Sequence, residues 1–548
     1  MTRTNDGRGG RGNSRTMATA TDISDHTPSG ADIRLVISAS ALGTVFEWYD
    51  FFIYGTLAAS GIIGRAFFPA GNETVQTLLA WAGFAVGFGF RPLGAVMFGY
   101  LGDRLGRKYT FLVTITLMGI ATAGVGLTPE ASAIGFAAPA IVLLLRVAQG
   151  LALGGEYGGA AIYVAEHSPR RRAGFYTSFI QAGVVGGFLL SLAVILIVKA
   201  ALPAATWSAW GWRIPFLFSI VLLAISLWMR LKLSESPVFQ KMRAAGERVA
   251  NPIKESFTYP GNLRRMIVAL FGIAAGLTVI WYTAMFTVLS FLQTTMRVEE
   301  TTAQIITGVG VAAGVFWFVL FGHVSDRIGR KTPIVVGYIL TLILLFPIFW
   351  LMGSAANPGL ARAAAQQAVV VYGDRCQYSP FDKVQATRCG KLLDALSKKG
   401  VPYTVQKAPS LAMSIGDRPV APVGGEALDR ALTAAGYDLT PIRPAAGNIA
   451  LILIAILAMS LLSGITYGPV AALLSEMFPP AIRYSSLSIP YHLGTGYFGG
   501  FLPFISQYIV ARTGDPYAGL WYTWAVVAMA LVVTLFGLRE EQHHTTVA

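Results

Sequence analysis

The side chains best equipped for chemistry in this chain are ionisable groups set in apolar sequence. In GTVFEWYDFFIYG, Glu47, Asp50 and Tyr54 stand at i, i+3 and i+7, which is one face of a helix. Two carboxylates a turn apart disfavour joint ionisation, so one of them is suited to load and release a proton. Permanent neutralisation of one carboxylate by an arginine is the alternative. FGFRPLGAVMFG carries Arg91, and Pro92 after it removes a backbone donor and favours a local kink. In LLLRVAQGLALGGEYGGAAIYVAEH, Arg146, Gln149 and Glu156 again share a face, beside glycines that allow close helix packing. Gln181 lines the same cavity or makes an interhelical hydrogen bond. Tyr282 and His492 are candidate cavity walls, with plain packing as the alternative. No metal-spaced Cys/His set, HExxH or phosphate-binding glycine loop is present in the sequence. An enzyme, a metal site, a cofactor and an ATP-driven pump are therefore not expected.

These groups need a lipid-embedded scaffold. Of 548 residues, 54% are hydrophobic and 13% charged, about half the charge of a soluble domain. Twelve stretches have the length and apolarity of spans, at 35–64, 76–102, 108–128, 136–160, 174–199, 212–232, 263–293, 301–323, 333–353, 448–475, 485–511 and 518–538. At 1.5 Å per residue, Glu47 falls roughly 18 Å from the start of its span and Arg91 roughly 18 Å before Asp103, so both lie deep in the membrane. A charged group there costs about 2.5–3.5 kcal/mol on insertion scales, so each must line a cavity or find a partner. The net charge of +14 does not imply nucleic acid. Of 42 Lys and Arg, 24 fall in tails and short loops on one side and five on the other; eleven sit in one long loop, and Arg91 and Arg146 lie inside spans. That bias predicts both termini on the cytoplasmic side.

Gly99–Lys108 (GYLGDRLGRK) returns as Gly322–Lys331 (GHVSDRIGRK), with six of ten positions identical at an offset of 223. A weaker echo joins EHSPRRR at Glu166 to EMFPPAIR at Glu476, at an offset of 310. Charge-based anchoring explains the basic residues of these loops but not the repeated Gly and Asp. A gate explains both: Gly99, Asp103, Arg104, Gly106 and Arg107, with Asp326, Arg327, Gly329 and Arg330, form charge-assisted contacts that hold one side closed and break in another state.

The excess between the two offsets points to an insertion. Residues 354–447 are polar, contain no span and hold both cysteines, Cys376 and Cys389, which predicts a disulfide. Ala368–Tyr372 and Val401–Gln406 read as strands, and Lys391–Lys399 and Glu426–Ala435 as helices. The expected organisation is a disordered cytoplasmic tail (1–33, without a cleavable signal), a six-helix bundle (34–232), a cytoplasmic linker (233–262), helices 7–9 (263–353), a small extracytoplasmic α/β insert between helices 9 and 10 (354–447), helices 10–12 (448–538) and a cytoplasmic tail (539–548). The fold class is an all-α polytopic membrane protein of two pseudo-repeated bundles. Repeated halves around a central site are the plan of secondary transporters.

The repeated loops resemble the hallmark loops of the major facilitator superfamily. FEWYDFFIYG, FRPLGAVMFGYLGDRLGRK, RVAQGLALGGEYGGAAIYVAE, WGWRIPF and LSESPVF resemble its metabolite:proton symporter family, which includes bacterial carriers for shikimate, proline/betaine, α-ketoglutarate and citrate. The resemblance implies proton-driven uptake by alternating access in a bacterial inner membrane, with Glu47, Asp50, Arg91, Arg146 and Glu156 at the cavity. It gives Arg213 a structural place and makes Glu476 and Arg483 partners of the hallmark loops. Two deep arginines favour an organic acid anion, since guanidinium binds carboxylate through a bidentate fork. A zwitterionic osmolyte, held by carboxylates and aromatic faces, is the second substrate class. The ten residues after the last span carry no heptad pattern; the resemblance implies that osmolality-sensing osmolyte carriers can end in a coiled coil, so this weighs slightly against the osmolyte class. A sensor that keeps the fold but only signals is the reading from another class. The expected partners are a small-molecule substrate, protons and the lipid bilayer, without nucleic acid.

Overall fold

The computed structural model describes residues 30–68, 73–105, 107–155, 157–232, 252–374, 376, 378–382, 385–422, 424–479 and 482–539. Long apolar stretches in lipid must satisfy their backbone groups internally, and helices do so. The first half comprises α1 (Gly30–Ala59), α2 (Glu73–Gly89), α3 (Arg91–Leu105), α4 (Arg107–Leu127), α5 (Ala137–Gly154), α6 (Tyr157–His167), α7 (Ala173–Ala201) and α8 (Ile214–Lys232). The break between α2 and α3 falls at Phe90, where Pro92 cannot supply a backbone donor.

The second half opens with a helical run over Asn262–Thr295. It contains α9 (Ala275–Tyr282) and three π-helical segments, Val268–Ala274, Thr283–Thr287 and Phe291–Thr295. Next come α10 (Glu300–Ile328) and α11 (Lys331–Ala356). Among the described residues, nine helices are long and apolar enough to cross a membrane, with Leu112–Leu127 a shorter apolar helix. The expected first span is helical over α1.

The insert forms its own apolar core. It begins with α12 (Pro358–Gln366), followed by β1 (Val369–Gly373), α13 (Arg388–Lys398), β2 (Tyr403–Lys407), β3 (Ala412–Ile415), β4 (Arg418–Val420) and α14 (Glu426–Ala434). The sheet order is β2-β1-β3-β4. β1 runs parallel to β2, Val369 beside Tyr403, and antiparallel to β3, Val369 beside Ile415. The two expected strands and two expected helices are present with small boundary shifts. Sequence reading missed α12, β3 and β4. The β3–β4 hairpin turns at Gly416, whose φ of 57° suits glycine.

The chain then returns through α15 (Ala446–Tyr467), α16 (Val470–Met477), α17 (Arg483–Leu493), a π-helical segment Gly494–Gly500, α18 (Leu502–Thr513) and α19 (Leu520–Gly537). The halves meet where α7 packs on α10 and α3 on α17.

Within the first half, glycines bring backbones into contact where the two arginines sit. A Cβ on Gly150 would lie 1.8 Å from the Gly87 carbonyl oxygen, and one on Gly154 would lie 2.1 Å from the Arg91 oxygen. Both obstacles are backbone, so a side chain there must push α5 away from α2 and α3. Gly150→Ala is expected to destabilise the carrier by about 1–3 kcal/mol, read as a lower Tm in detergent. Gly447→Ala, where nothing lies within 4 Å, is the control and should not lower it. Equal behaviour of the two variants would contradict the packing argument.

Candidate functional site

The centre of the first half holds two fully buried guanidinium groups, Arg91 and Arg146. Arg91 opens α3, and its guanidinium carbon lies 5.0 Å from the ring centroids of both Trp48 and Phe88. Among the described residues, none of its three guanidinium nitrogens has a hydrogen-bond partner. Arg146 lies over Phe51 at 4.1 Å and Tyr54 at 4.5 Å. Its Nη1 donates to Gln149 Oε1 at 2.7 Å, while Nε and Nη2 have no partner among the described residues. Gln149 Nε2 donates to Thr122 Oγ1 at 2.6 Å and, at 3.4 Å, to the backbone oxygen of Asp50. The i, i+3 spacing on α5 thus becomes an Arg–Gln contact that extends through Thr122 toward α1. Cation–π contact offsets part of the cost of burial, about 2 kcal/mol for a desolvated pair.

Asp50 is buried and Glu47 half-buried on α1. Tyr54 is fully buried, and its hydroxyl would meet a Cβ on Gly83 at 2.4 Å. Gln181 is fully buried on α7, which packs along α1. Tyr282 joins the halves: its ring lies 5.4 Å from Phe88 and 6.2 Å from Phe84. His492 is fully buried on α17, with neither ring nitrogen bonded among the described residues. Glu156 lies outside the described residues.

Sequence reading missed the aromatic wall. Phe52 stacks on Trp281 at 5.1 Å, and Phe286 packs against Phe52 at 5.4 Å, Phe84 at 5.3 Å and Phe188 at 5.2 Å. Phenylalanines in an apolar helix give no signal that separates a wall from a core. The π-helical segments were missed too. Two of them directly follow the candidate residues, one after Tyr282 and one shortly after His492. Such segments re-aim side chains and recur at functional sites.

A second cluster sits at the end of the molecule that carries the repeated loops. Asp326 Oδ1 accepts from the Gly174 backbone N–H and Oδ2 from that of Phe175, both at 2.8 Å. A carboxylate from the second half thus caps the first turn of α7 in the first half. Arg330 Nη1 pairs with Asp326 Oδ1 at 2.7 Å, and Nη2 with Glu476 Oε1 at 3.0 Å. Burial works to lower the Arg330 pKa, but hydrogen bonds and charge from Glu476 and Asp326 outweigh it, and the net direction is up. Arg483 Nη1 reaches across the halves to Glu166 Oε1 at 3.2 Å. Gly329 has φ 88°, which lets the chain turn between α10 and α11. Lys331 Nζ donates to the Leu535 and Leu538 carbonyls at the end of α19. Arg327 is exposed. In the first-half copy, Gly99, Asp103 and Arg104 lie on α3 and Arg107 opens α4. Gly106 lies outside the described residues.

At the opposite end, Lys199 Nζ pairs with Glu300 Oε2 at 2.9 Å, again joining the halves. A cleft of about 570 Å³ opens there, lined in part by Arg65, Glu130, Lys199, Trp207 and Glu300. None of the candidate cavity residues lines it. Arg213 donates to the Gly126 and Thr128 carbonyls, in keeping with a structural place.

The fold, two helical halves with a buried cationic centre in the first, is that of the major facilitator type. The family described as "Sugar (and other) transporter" matches residues 35–255. The inner membrane metabolite transport protein YhjE of Escherichia coli K12 is 29% identical over 96% of this chain and 99% of its own length. The shikimate transporter of the same strain is 37% identical over 58% of this chain and 72% of its own. The proline/betaine transporter of Salmonella typhimurium LT2 is 35% identical over 59% and 65%. The partially occluded inward-open structure of the xylose transporter XylE from E. coli superposes with a TM-score of 0.57 at 15% identity, over 94% of this chain and 99% of that one. The chain belongs to the major facilitator superfamily, in its metabolite:proton symporter family of membrane transporters.

The Asp326 cap yields a prediction. Asp326→Asn keeps the shape and removes the charge held by Arg330 and two backbone donors. A cysteine placed at Ser178, which packs against Gly322 of the other half, should become several-fold more reactive to a polar maleimide in this background. Unchanged reactivity would mean that the carboxylate does not hold this closure.

Proposed function

We propose that this carrier couples the import of a small organic acid anion to protons by alternating access. The observation that carries the reading is the pair of buried guanidinium groups, five of whose six nitrogens have no hydrogen-bond partner among the described residues. A carboxylate supplies the acceptors they lack, in the bidentate geometry that guanidinium favours. Asp50 and Glu47, on the helix that also supplies the rings beneath Arg91 and Arg146, are the proton-coupling pair. Glu156, Gln181, Tyr282 and His492 complete the cavity.

In this reading twelve spans form two bundles, 34–232 and 263–353 with 448–538. The insert 354–447 is extracytoplasmic, both termini are cytoplasmic, and the membrane is the bacterial inner membrane. The loop-end contacts of Asp326, Glu166, Arg330, Glu476 and Arg483, together with Asp103 of the first-half loop, form the cytoplasmic gate. Lys199–Glu300 and the rings from Phe52 to Phe286 close the opposite side.

A zwitterionic osmolyte is the second reading. The aromatic enclosure favours it, because Trp281, Tyr282 and Phe52 offer faces to an ammonium group. One relative is named for proline and betaine.

Uptake into proteoliposomes under an imposed proton gradient, across a panel of organic acids and osmolytes, tests both. Asp50→Asn should abolish gradient-driven accumulation and leave substrate exchange. Loss of neither activity would remove Asp50 from coupling. Arg146→Lys should raise the apparent KM for a carboxylate substrate about tenfold or more, roughly 1.4 kcal/mol. An unchanged KM would place Arg146 outside the binding site.

A further inference from the structure

We propose that Cys376 and Cys389 form a thiol–disulfide exchange site, carried on the insert and open to a dithiol reductant. This goes beyond transport and does not depend on the substrate.

β1 and β2 are parallel and joined through α13; β3 and β4 then form an antiparallel hairpin, and α14 follows, in the order β2-β1-β3-β4. This is the strand order and direction of a thioredoxin-type module, which carries its redox cysteines between the first strand and the following helix. Both cysteines of the chain are at that junction. Cys376 follows the end of β1 by three residues, and Cys389 is the second residue of α13. They are bonded, with Cα atoms 5.1 Å apart.

The surroundings favour exchange over a buried staple. Cys376 is partly exposed, whereas Cys389 is buried at 6% exposure. One sulfur can therefore be approached, and the other is the leaving group. Cys389 leaves at the start of an 11-residue helix, where the macrodipole favours a thiolate. The strand end is shaped around the sulfurs: a Cβ on Gly373 would sit 2.5 Å from Cys376 Sγ and 3.7 Å from Cys389 Sγ.

The step balances. A thiolate of the external dithiol attacks Cys376 Sγ, forming a mixed disulfide. The Cys376–Cys389 bond breaks and Cys389 leaves with the electron pair. The second thiol of the partner then attacks the mixed disulfide and releases Cys376. Two protons and two electrons pass from the dithiol, which becomes a disulfide, to the cysteine pair.

Opening the pair need not unfold the module. Its core includes Val369, Val371, Leu393, Leu396, Ile415 and Leu428, and it is tied to the carrier elsewhere. Arg443 holds Glu299 through bonds of 2.7 and 2.8 Å, and the Tyr403 N–H donates to the Gly514 carbonyl at 3.3 Å. The closed loop also carries Phe381, which stacks on Tyr508 of α18 at 5.9 Å. Exchange therefore releases the covalent closure of a loop that rests on a transport helix.

The test uses the full-length carrier in detergent, without denaturant. Dithiothreitol should open the disulfide, read as two maleimide-polymer additions on a gel, while the far-ultraviolet circular dichroism stays unchanged. With oxidised glutathione, Cys389→Ser should form a mixed disulfide at Cys376 about tenfold faster than Cys376→Ser forms one at Cys389. Resistance of the wild-type disulfide until denaturant is added would overturn the proposal, as would equal rates in the two variants.

Discussion

The structure depends on burying two guanidinium groups inside the first helical bundle. Arg91 and Arg146 are fully buried, ringed by Trp48, Phe51, Tyr54 and Phe88. Aromatic faces soften the charge without using its hydrogen-bond donors. Each other feature of the centre serves this arrangement. Gly150 and Gly154 bring α5 onto the backbone beside the arginines, and Gln149 fixes one Arg146 nitrogen. Tyr282 brings the second half to the same rings. Burying two such charges is costly unless hydrogen-bond acceptors reach them.

The two ends of the molecule use a different device. There the halves are joined by exposed or half-exposed ion pairs, Arg483–Glu166 at one end and Lys199–Glu300 at the other. Surface pairs are worth only about 0–1 kcal/mol each, so they can break and re-form as the halves move. Asp326 combines both roles. It is an ion-pair partner of Arg330 and also the cap of α7, so its release would loosen a helix end as well as a charge contact.

Much of this was legible in the sequence, for physical reasons. A charge in an apolar run is conspicuous, so Arg91, Arg146 and Asp50 stood out. The repeated DRxGRK loops carried Asp326 and Arg330, and the echo at Glu476 located the partner of Arg330. Long apolar runs marked the nine described helices that can cross a membrane, and short β-branched runs marked the insert's two larger strands. The aromatic wall was not legible, because Phe52, Phe84 and Phe286 look like any lipid-facing or core residue until the fold brings them together. The π-helical segments leave no pattern of their own. β3 and β4 were too short for a periodic signal, although Gly416–Asp417 marks their turn. Thr122 links Gln149 to α1 through a contact between residues far apart in sequence.

The central claim is that the buried guanidinium groups await a carboxylate. The most direct measurement is the thermal shift of the purified carrier with a panel of organic acids and their methyl esters, repeated with Arg91→Gln. The account predicts that at least one acid raises the Tm, that its ester does not, and that the shift disappears in the variant. A shift of equal size with the ester, or one that survives in Arg91→Gln, would contradict it.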